Sequence, residues 1–114
     1  TQMPRKETSA HKLLRRLGAS GSYLGFYYTA AAIETVMATH ENIYQCKWLY
    51  NEVAKQFHTT PYCVERDIRT IVDLIWNHGN RELLKEIIPY PYDAKPKNGR
   101  FIDGLVNYLS EQEE

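Results

Sequence analysis

The chain is poor in cysteine and has no long apolar run. Only two of its 114 residues are cysteines, Cys46 and Cys63, and they lie far apart in the sequence. The N-terminus has no apolar segment of the kind that forms a secretory signal, so two cysteines indicate a reducing compartment and no disulfide framework. No apolar run is long enough to cross a bilayer. These absences argue against a secreted disulfide scaffold and a membrane protein, and we expect a cytoplasmic protein of one domain.

An excess of either charge is also missing. The 14 lysines and arginines balance 14 aspartates and glutamates, so the net charge is zero. This balance weighs against a non-specific nucleic-acid coat protein, which would be strongly basic. The charges are nevertheless unevenly placed: residues 1–17 carry five basic side chains and one acid, and residues 95–100 carry three basic side chains and no acid. These segments are either local basic patches or solvated surface, and the composition does not choose between them.

Patterns of metal-binding and catalytic side chains are absent as well. The four histidines are scattered along the sequence at His11, His40, His58 and His78. None of them pairs with a cysteine at the spacing of a zinc finger, so we expect no metal site. No glycine-rich loop follows a strand pattern, and no nucleophile stands beside a base in a recognisable motif. We therefore expect neither a cofactor nor an enzyme.

Apolar residues recur at helical spacing along most of the chain, and no segment alternates as a strand does. The predicted helices span residues 9–17, 22–39, 44–57, 61–77, 81–88 and 99–110. The side chains suited to cap helix N-termini are Ser9, Thr60, Asn80 and Asn98, and the glycines suited to end helices are Gly18 and Gly79. The expected fold class is all-α, a compact bundle of about six helices that contains a helix-turn-helix. The expected organisation is a linker or frayed N-terminus at 1–8, one domain at 9–110 and an acidic tail at 111–114.

Residues 44–77 have the pattern of a helix-turn-helix, in which two helices joined by a short turn pack at a steep angle. The turn begins at His58, a residue type that tolerates positive φ better than most. Ala54 is the small residue expected where the two helices cross. Val64 is the branched apolar residue expected to lock the second helix in place.

The second helix of this unit has one apolar face and one charged face. Its apolar face carries Val64, Ile68, Ile71, Val72, Ile75 and Trp76, and the opposite side and its edges carry Tyr62, Glu65, Arg66, Arg69 and Asp73. In DNA-binding units of this type, the N-terminal residues of the second helix meet base edges in the major groove. Arginine donates two hydrogen bonds to guanine, and glutamate accepts one from the cytosine amino group. An ordinary solvated face with i, i+4 ion pairs would show the same periodicity, so this pattern alone leaves both interpretations open.

The same helix lies in a run that carries a family resemblance. The run is TTPYCVERDIR at 59–69, followed by WNHGN at 76–80. It resembles the C-terminal DNA-binding domain of the stage 0 sporulation response regulator A family of endospore-forming bacteria, whose pattern is close to T-T-x-x-x-V-E-R-x-I-R and then W-x-x-G-N. Flanking matches are HKLLRRLG at 11–18, LY at 49–50, AKQF at 54–57, KPKN at 95–98 and FI at 101–102. The resemblance therefore extends from about residue 11 to residue 109.

The resemblance implies a compact six-helix domain that follows a phosphorylatable receiver domain in the intact regulators. This sequence has no receiver, so we expect either an excised effector domain or a homologue without one. The implied function is sequence-specific binding of promoter DNA, with helix 61–77 in the major groove and base contacts from Glu65, Arg66 and Arg69. The candidates for contacts with the DNA backbone, by position, are Thr60, Tyr62, Lys47 and Lys55. The expected partners are double-stranded promoter DNA, RNA polymerase and further copies of the domain in tandem on DNA, with no membrane partner.

Three positions depart from the family pattern. Cys63 stands where a basic residue is usual, Asp67 where a small residue is usual and Thr70 where histidine is usual. Residues 44–77 hold four basic and four acidic side chains. Because counterion release normally supplies much of the affinity for DNA, we expect weaker binding than in a typical member, or an altered site. The alternative function is a helical protein-interaction module that kept the fold but has weak or lost DNA binding.

Overall fold

Helices account for nearly all regular structure in the computed structural model, which describes residues 8–39, 46–88 and 94–112. They are α1 Ser9–Leu17, α2 Leu24–Thr39, α3 Cys46–Phe57, α4 Pro61–His78, α5 Arg81–Ile87 and α6 Asn98–Gln112. No strand occurs within the three described ranges. The prediction of an all-α bundle of six helices is confirmed. Residues 1–7 of the predicted linker, residues 113–114 of the predicted tail and the predicted start of the third helix at residue 44 lie outside the described residues.

The N-terminus of α1 is capped one residue earlier than predicted. Thr8 is the capping residue: its Oγ1 accepts a hydrogen bond from the backbone N–H of His11 at 3.4 Å, and Nδ1 of His11 accepts one from the backbone N–H of Thr8 at 3.2 Å. Ser9 is already the first residue of the helix, so the prediction that Ser9 caps it is wrong. Gly18 ends the helix with φ 111°, a left-handed conformation that favours glycine, and the predicted stop is confirmed.

The predicted caps of α4 and α5 are both confirmed. Oγ1 of Thr60 accepts a hydrogen bond from the backbone N–H of Cys63 at 3.1 Å. The side chain of Asn80 accepts one from the backbone N–H of Leu83 at 3.0 Å. Gly79 ends α4 and the next residue, Asn80, caps α5, so two adjacent residues set the boundary between the helices.

Asn98 begins α6 and does not cap it from outside. Its side chain is 7% exposed. Its Nδ2 donates hydrogen bonds to the backbone carbonyl of Glu65 at 3.0 Å and to Oη of Tyr50 at 3.2 Å. The prediction that Asn98 caps the helix is therefore wrong, because its amide bonds α4 and α3 and not the first turn of α6. These bonds tie the N-terminus of α6 to the N-terminal half of α4.

The bundle is built around α2, which packs against α1, α3, α4 and α6. Its buried residues are Gly25, Phe26, Tyr28, Thr29, Ala30, Ala31, Ala32, Ile33 and Val36. Gly25 marks the closest approach to α4: a Cβ there would overlap the backbone carbonyl of Asp67 and lie 2.7 Å from Cγ1 of Ile71. Only glycine permits this approach, which sets how deeply α4 sits in the bundle.

The apolar face of α4 provides the other half of the core. Its buried residues are Val64, Ile68, Ile71, Val72 and Ile75, as the helical periodicity predicts. Together with Phe26, Leu49 and Phe101, which are at most 1% exposed, they form the apolar core against which α4 packs. Within the described residues, no helix is both long enough and apolar enough to span a membrane.

Candidate nucleic-acid interface

The turn between α3 and α4 has the geometry of a helix-turn-helix. Three residues separate the two helices, and the first of them, His58, has φ 56°. The backbone N–H of Thr59 donates a hydrogen bond to the carbonyl of Ala54 at 3.0 Å, which closes the end of α3. Ala54 and Val64 are 3% and 0% exposed, so both are buried, as their predicted positions between the two helices require. The turn conformation expected for His58 is confirmed.

The solvent-facing side of α4 carries the three residues predicted to contact bases. The side chains of Arg66 and Arg69 are 49% and 52% exposed, and that of Glu65 is 32% exposed. Tyr62, one turn before Arg66, is 67% exposed. We call this set, Tyr62, Glu65, Arg66 and Arg69, the α4 stripe. The structure thus brings these side chains together on one open surface, and their contacts with DNA stay a prediction.

Within the α4 stripe, Arg69 is paired with Glu65. Nη1 of Arg69 lies 2.6 Å from Oε2 of Glu65, one helical turn away. Exposed i, i+4 pairs of this kind contribute about 0.3–0.5 kcal/mol. A bidentate arginine–guanine contact gives about 1–3 kcal/mol of base discrimination. Because the contact with guanine is the stronger of the two, Arg69 can leave Glu65 for the base, and the released carboxylate is then free to accept from a cytosine amino group.

Arg66 is held by two neighbours. Its Nε donates a hydrogen bond to Oδ1 of Asp67 at 3.2 Å, and its guanidinium lies 5.7 Å from the centre of the Tyr62 ring. The hydrogen bond and the charge of Asp67 raise the pKa of Arg66 above its ordinary value. Asp67 is one of the three departures from the family pattern, and its carboxylate holds the guanidinium of Arg66 by this contact.

The four predicted backbone contacts are not all placed together. Lys55 lies beside the start of α4, because it lines the same shallow depression as His58 and Pro61. Its Nζ is 3.3 Å from Oε2 of Glu52. Thr60 caps α4, Tyr62 lies in its first turn, and both are exposed. Lys47 is also exposed, but it precedes Lys55 by eight residues, which is about 12 Å along α3.

Cys63 is half-buried in the first turn of α4. Hydrogen bonds from Thr60 and Thr59 lower the pKa of its thiol below the ordinary value of 9.0, and the charge of Arg66 lowers it further. The thiolate would add negative charge beside the α4 stripe. Across residues 8–39, 46–88 and 94–112, no group of three His, Cys, Asp or Glu side chains is close enough to hold a metal ion.

Two contacts at the edge of the α4 stripe could not be predicted from local patterns. Lys95 forms an ion pair with Asp73, in the second half of α4. Asn98 bonds the carbonyl of Glu65, as described above. From the sequence, the 95–100 segment could be identified only as basic and as part of the family resemblance. Its contacts with α4 could not be predicted, because they join residues that are far apart in the sequence.

The chain matches the model of a known protein family. The model of the family described as "Sporulation initiation factor Spo0A C terminal" matches residues 10–109. The matched range includes the helix-turn-helix, the α4 stripe and the 95–98 segment.

Proposed function

This chain belongs to the Spo0A C-terminal family, the DNA-binding effector domains of sporulation regulators, and from this premise we propose that it binds promoter DNA sequence-specifically by placing α4 in the major groove. The family is regulatory and not catalytic. We further propose that Glu65, Arg66 and Arg69 contact the bases. The DNA backbone is contacted by Thr60, Tyr62, Lys47 and Lys55.

The observation that carries this proposal is the exposed α4 stripe directly after a helix-turn-helix turn. An α-helix with its side chains is about 10–12 Å wide, and the major groove is about 12 Å wide. A helix that is buried on one side and charged on the other therefore fits the groove with its charged side facing the bases. Arg66 and Arg69 lie within one turn of each other, so they meet neighbouring base pairs.

The partners of the domain follow from the same premise. We propose that copies of the domain bind adjacent sites in tandem, and that RNA polymerase is contacted at the promoter. A domain that binds promoter DNA acts where the chromosome is, so we propose a cytoplasmic location.

Selection of duplexes from a random pool tests the proposal. The protein is incubated with the pool at moderate salt, and bound duplexes are amplified through several rounds. We expect a short consensus that contains at least one guanine at a position where substitution lowers affinity. Binding of the selected duplex is expected to fall steeply with salt, since phosphate contacts release counterions. Binding without a consensus would contradict sequence-specific recognition.

Variants of the two arginines then test the assignment. We expect Arg66→Ala and Arg69→Ala each to weaken binding of the selected duplex by roughly 5- to 150-fold, the range that corresponds to one bidentate base contact. Arg16→Ala removes an arginine that is also exposed, on α1, and serves as the control for net charge. Thermal unfolding followed by circular dichroism checks that all three variants keep the fold.

A second function is favoured by one observation. Both arginines of the α4 stripe have acidic partners inside the protein, Arg69 with Glu65 and Arg66 with Asp67. A surface whose arginines are paired with acidic side chains of the same helix is also typical of a helical interaction module that lost strong DNA binding. If no duplex is enriched from the random pool at moderate salt, this second function becomes the better one.

A further inference from the structure

The segment that precedes α6 is fixed alongside α4. Pro96 in this segment is buried, and Asn98 at its end donates hydrogen bonds to the carbonyl of Glu65 and to Oη of Tyr50 at 3.0 and 3.2 Å. A buried proline and a buried amide with two partners hold the backbone in one place. The 95–98 segment therefore keeps a constant position relative to the α4 stripe.

Two lysines of the 95–98 segment lie beside Glu65 and Arg69 of the α4 stripe. Lys95 and Lys97 line a depression of the surface together with Glu65 and Arg69. Nζ of Lys95 pairs with Oδ1 of Asp73, which lies one helical turn beyond Arg69 on α4. Lys97 is exposed. The 95–98 segment, which lines this depression together with Glu65, Arg69 and Val72, therefore lies along one side of the α4 stripe.

We propose that Lys95 and Lys97 bind phosphates of the DNA strand that borders the groove entered by α4, and that Asn98 is the positioning residue that holds them there. The inference rests on the proposed function. A helix that fills the major groove has a phosphate backbone along each side, so cations fixed at its flank meet that backbone. Phosphate contacts of this kind set the orientation of a protein on DNA without selecting bases.

In the free protein Lys95 pairs with Asp73, and in the proposed complex a phosphate replaces Asp73 as its partner. The side chains of Lys95 and Asp73 are 44% and 42% exposed, and exposed ion pairs exchange partners at little cost. Lys95 has a flexible four-carbon stem, so its ammonium can leave Asp73 when DNA approaches. Asp73 then repels the same phosphate, and it limits the affinity that Lys95 supplies.

The salt dependence of binding tests this assignment. For a duplex that the protein selects, log K is measured against log salt for the parent, Lys95→Ala and Lys97→Ala. Each lost phosphate contact is expected to make the slope shallower by about 0.9 and to weaken binding by roughly eightfold at 0.1 M salt, a loss that shrinks as salt rises. The control is Lys85→Ala, an exposed lysine of α5, for which the slope is expected to stay that of the parent. Base preference in a repeated selection is expected to stay unchanged in all three variants.

Asp73→Asn tests the exchange at Lys95 directly. We expect Asp73→Asn to tighten binding about two- to fivefold in the parent, because it both frees Lys95 and removes a charge. In the Lys95→Ala background the gain is expected to be smaller, since no ammonium is left to release. Equal gains in the two backgrounds would overturn the role of Lys95, because Asp73 would then act only through its own charge.

The outcomes separate this inference from the proposed function. A parent protein that selects no duplex contradicts the proposed function, and this inference with it. A parent protein that binds a selected duplex with the same salt slope as Lys95→Ala and Lys97→Ala overturns only the phosphate contacts of the 95–98 segment.

Discussion

Replacing Asp67 with alanine is expected to strengthen DNA binding, although it removes a partner of a base-contacting residue. Oδ1 of Asp67 accepts a hydrogen bond from Nε of Arg66 at 3.2 Å, and its side chain is 19% exposed against 49% for Arg66. The carboxylate therefore lies toward the bundle and draws the guanidinium with it. In Asp67→Ala, Arg66 loses this competing acceptor, and the surface beside the α4 stripe loses one negative charge.

Two contributions set the size of the gain in affinity. Exposed ion pairs couple weakly, and their loss changes an equilibrium constant by about 1.4- to 5-fold. A carboxylate at about 10 Å from a phosphate costs the complex a further factor of about two in water, which salt screens once the Debye length falls below that distance. Together they give a gain of roughly three- to tenfold at low salt.

Fluorescence anisotropy with a labelled duplex selected by the parent measures this gain. Glu86→Ala removes an equally charged, exposed side chain from α5 and serves as the control. An equal gain in Glu86→Ala would show that net charge alone acts. A loss of affinity in Asp67→Ala would refute competition between Asp67 and DNA, because Asp67 would then hold Arg66 in the conformation that contacts the base.

Three further predictions concern α4 and its surroundings. Gly25→Ala is expected to lower the free energy of unfolding by about 1–3 kcal/mol or more, because the new Cβ overlaps the Asp67 carbonyl. Urea unfolding measures this loss. Gly21→Ala is the control, since a Cβ at Gly21 meets mainly the end of a side chain. Thr60→Ala removes the N-cap of α4 and is expected to cost about 0.5–2 kcal/mol in the same assay; an unchanged stability would show that the cap is dispensable. DNA affinity is expected to fall as pH rises through the lowered pKa of Cys63, because the thiolate repels phosphate and binding favours the protonated thiol. Anisotropy titrations across this pH range test the last prediction, and Cys63→Ser is expected to remove that part of the pH dependence.

The course of α4 could be predicted from the sequence because every signal for it is local. Its apolar residues repeat with the helical period, and Thr60 caps it with proline at the next position, so the observed start agrees with the predicted one. The i, i+4 ion pair between Glu65 and Arg69 also follows from spacing alone. Local rules suffice where residues within one or two turns determine the structure.

Caps with distant partners could not be predicted in the same way. Thr8 and Ser9 are both good capping residues, and local propensity does not choose between them. Thr8 caps α1 while its hydroxyl donates to Oε2 of Glu34 on α2 at 2.5 Å, a contact that only the folded chain provides. Asn98 likewise has the chemistry of a cap, but its amide is used by Glu65 and Tyr50, 33 and 48 residues away.

The departure at Asp67 was visible in the sequence, but its consequence was not. A neighbour at i+1 lies about 100° around the helix, so the sequence does not predict that Asp67 bonds Arg66. The path of α2 past Gly25 brings the bundle against α4 at Asp67, and the half-buried carboxylate then reaches back to the guanidinium. The effect on DNA binding therefore depends on tertiary packing.

Methylation interference at guanine N7 tests most directly whether α4 enters the major groove, because N7 lies in that groove. Selected duplexes are methylated sparsely, and bound and free fractions are compared base by base for the parent and for Arg66→Ala. If α4 reads the major groove, methylation of guanines in the selected site blocks binding of the parent, and Arg66→Ala loses sensitivity at one of these guanines. If N7 methylation leaves binding unchanged and only modification of adenine in the minor groove blocks it, entry of α4 into the major groove is contradicted.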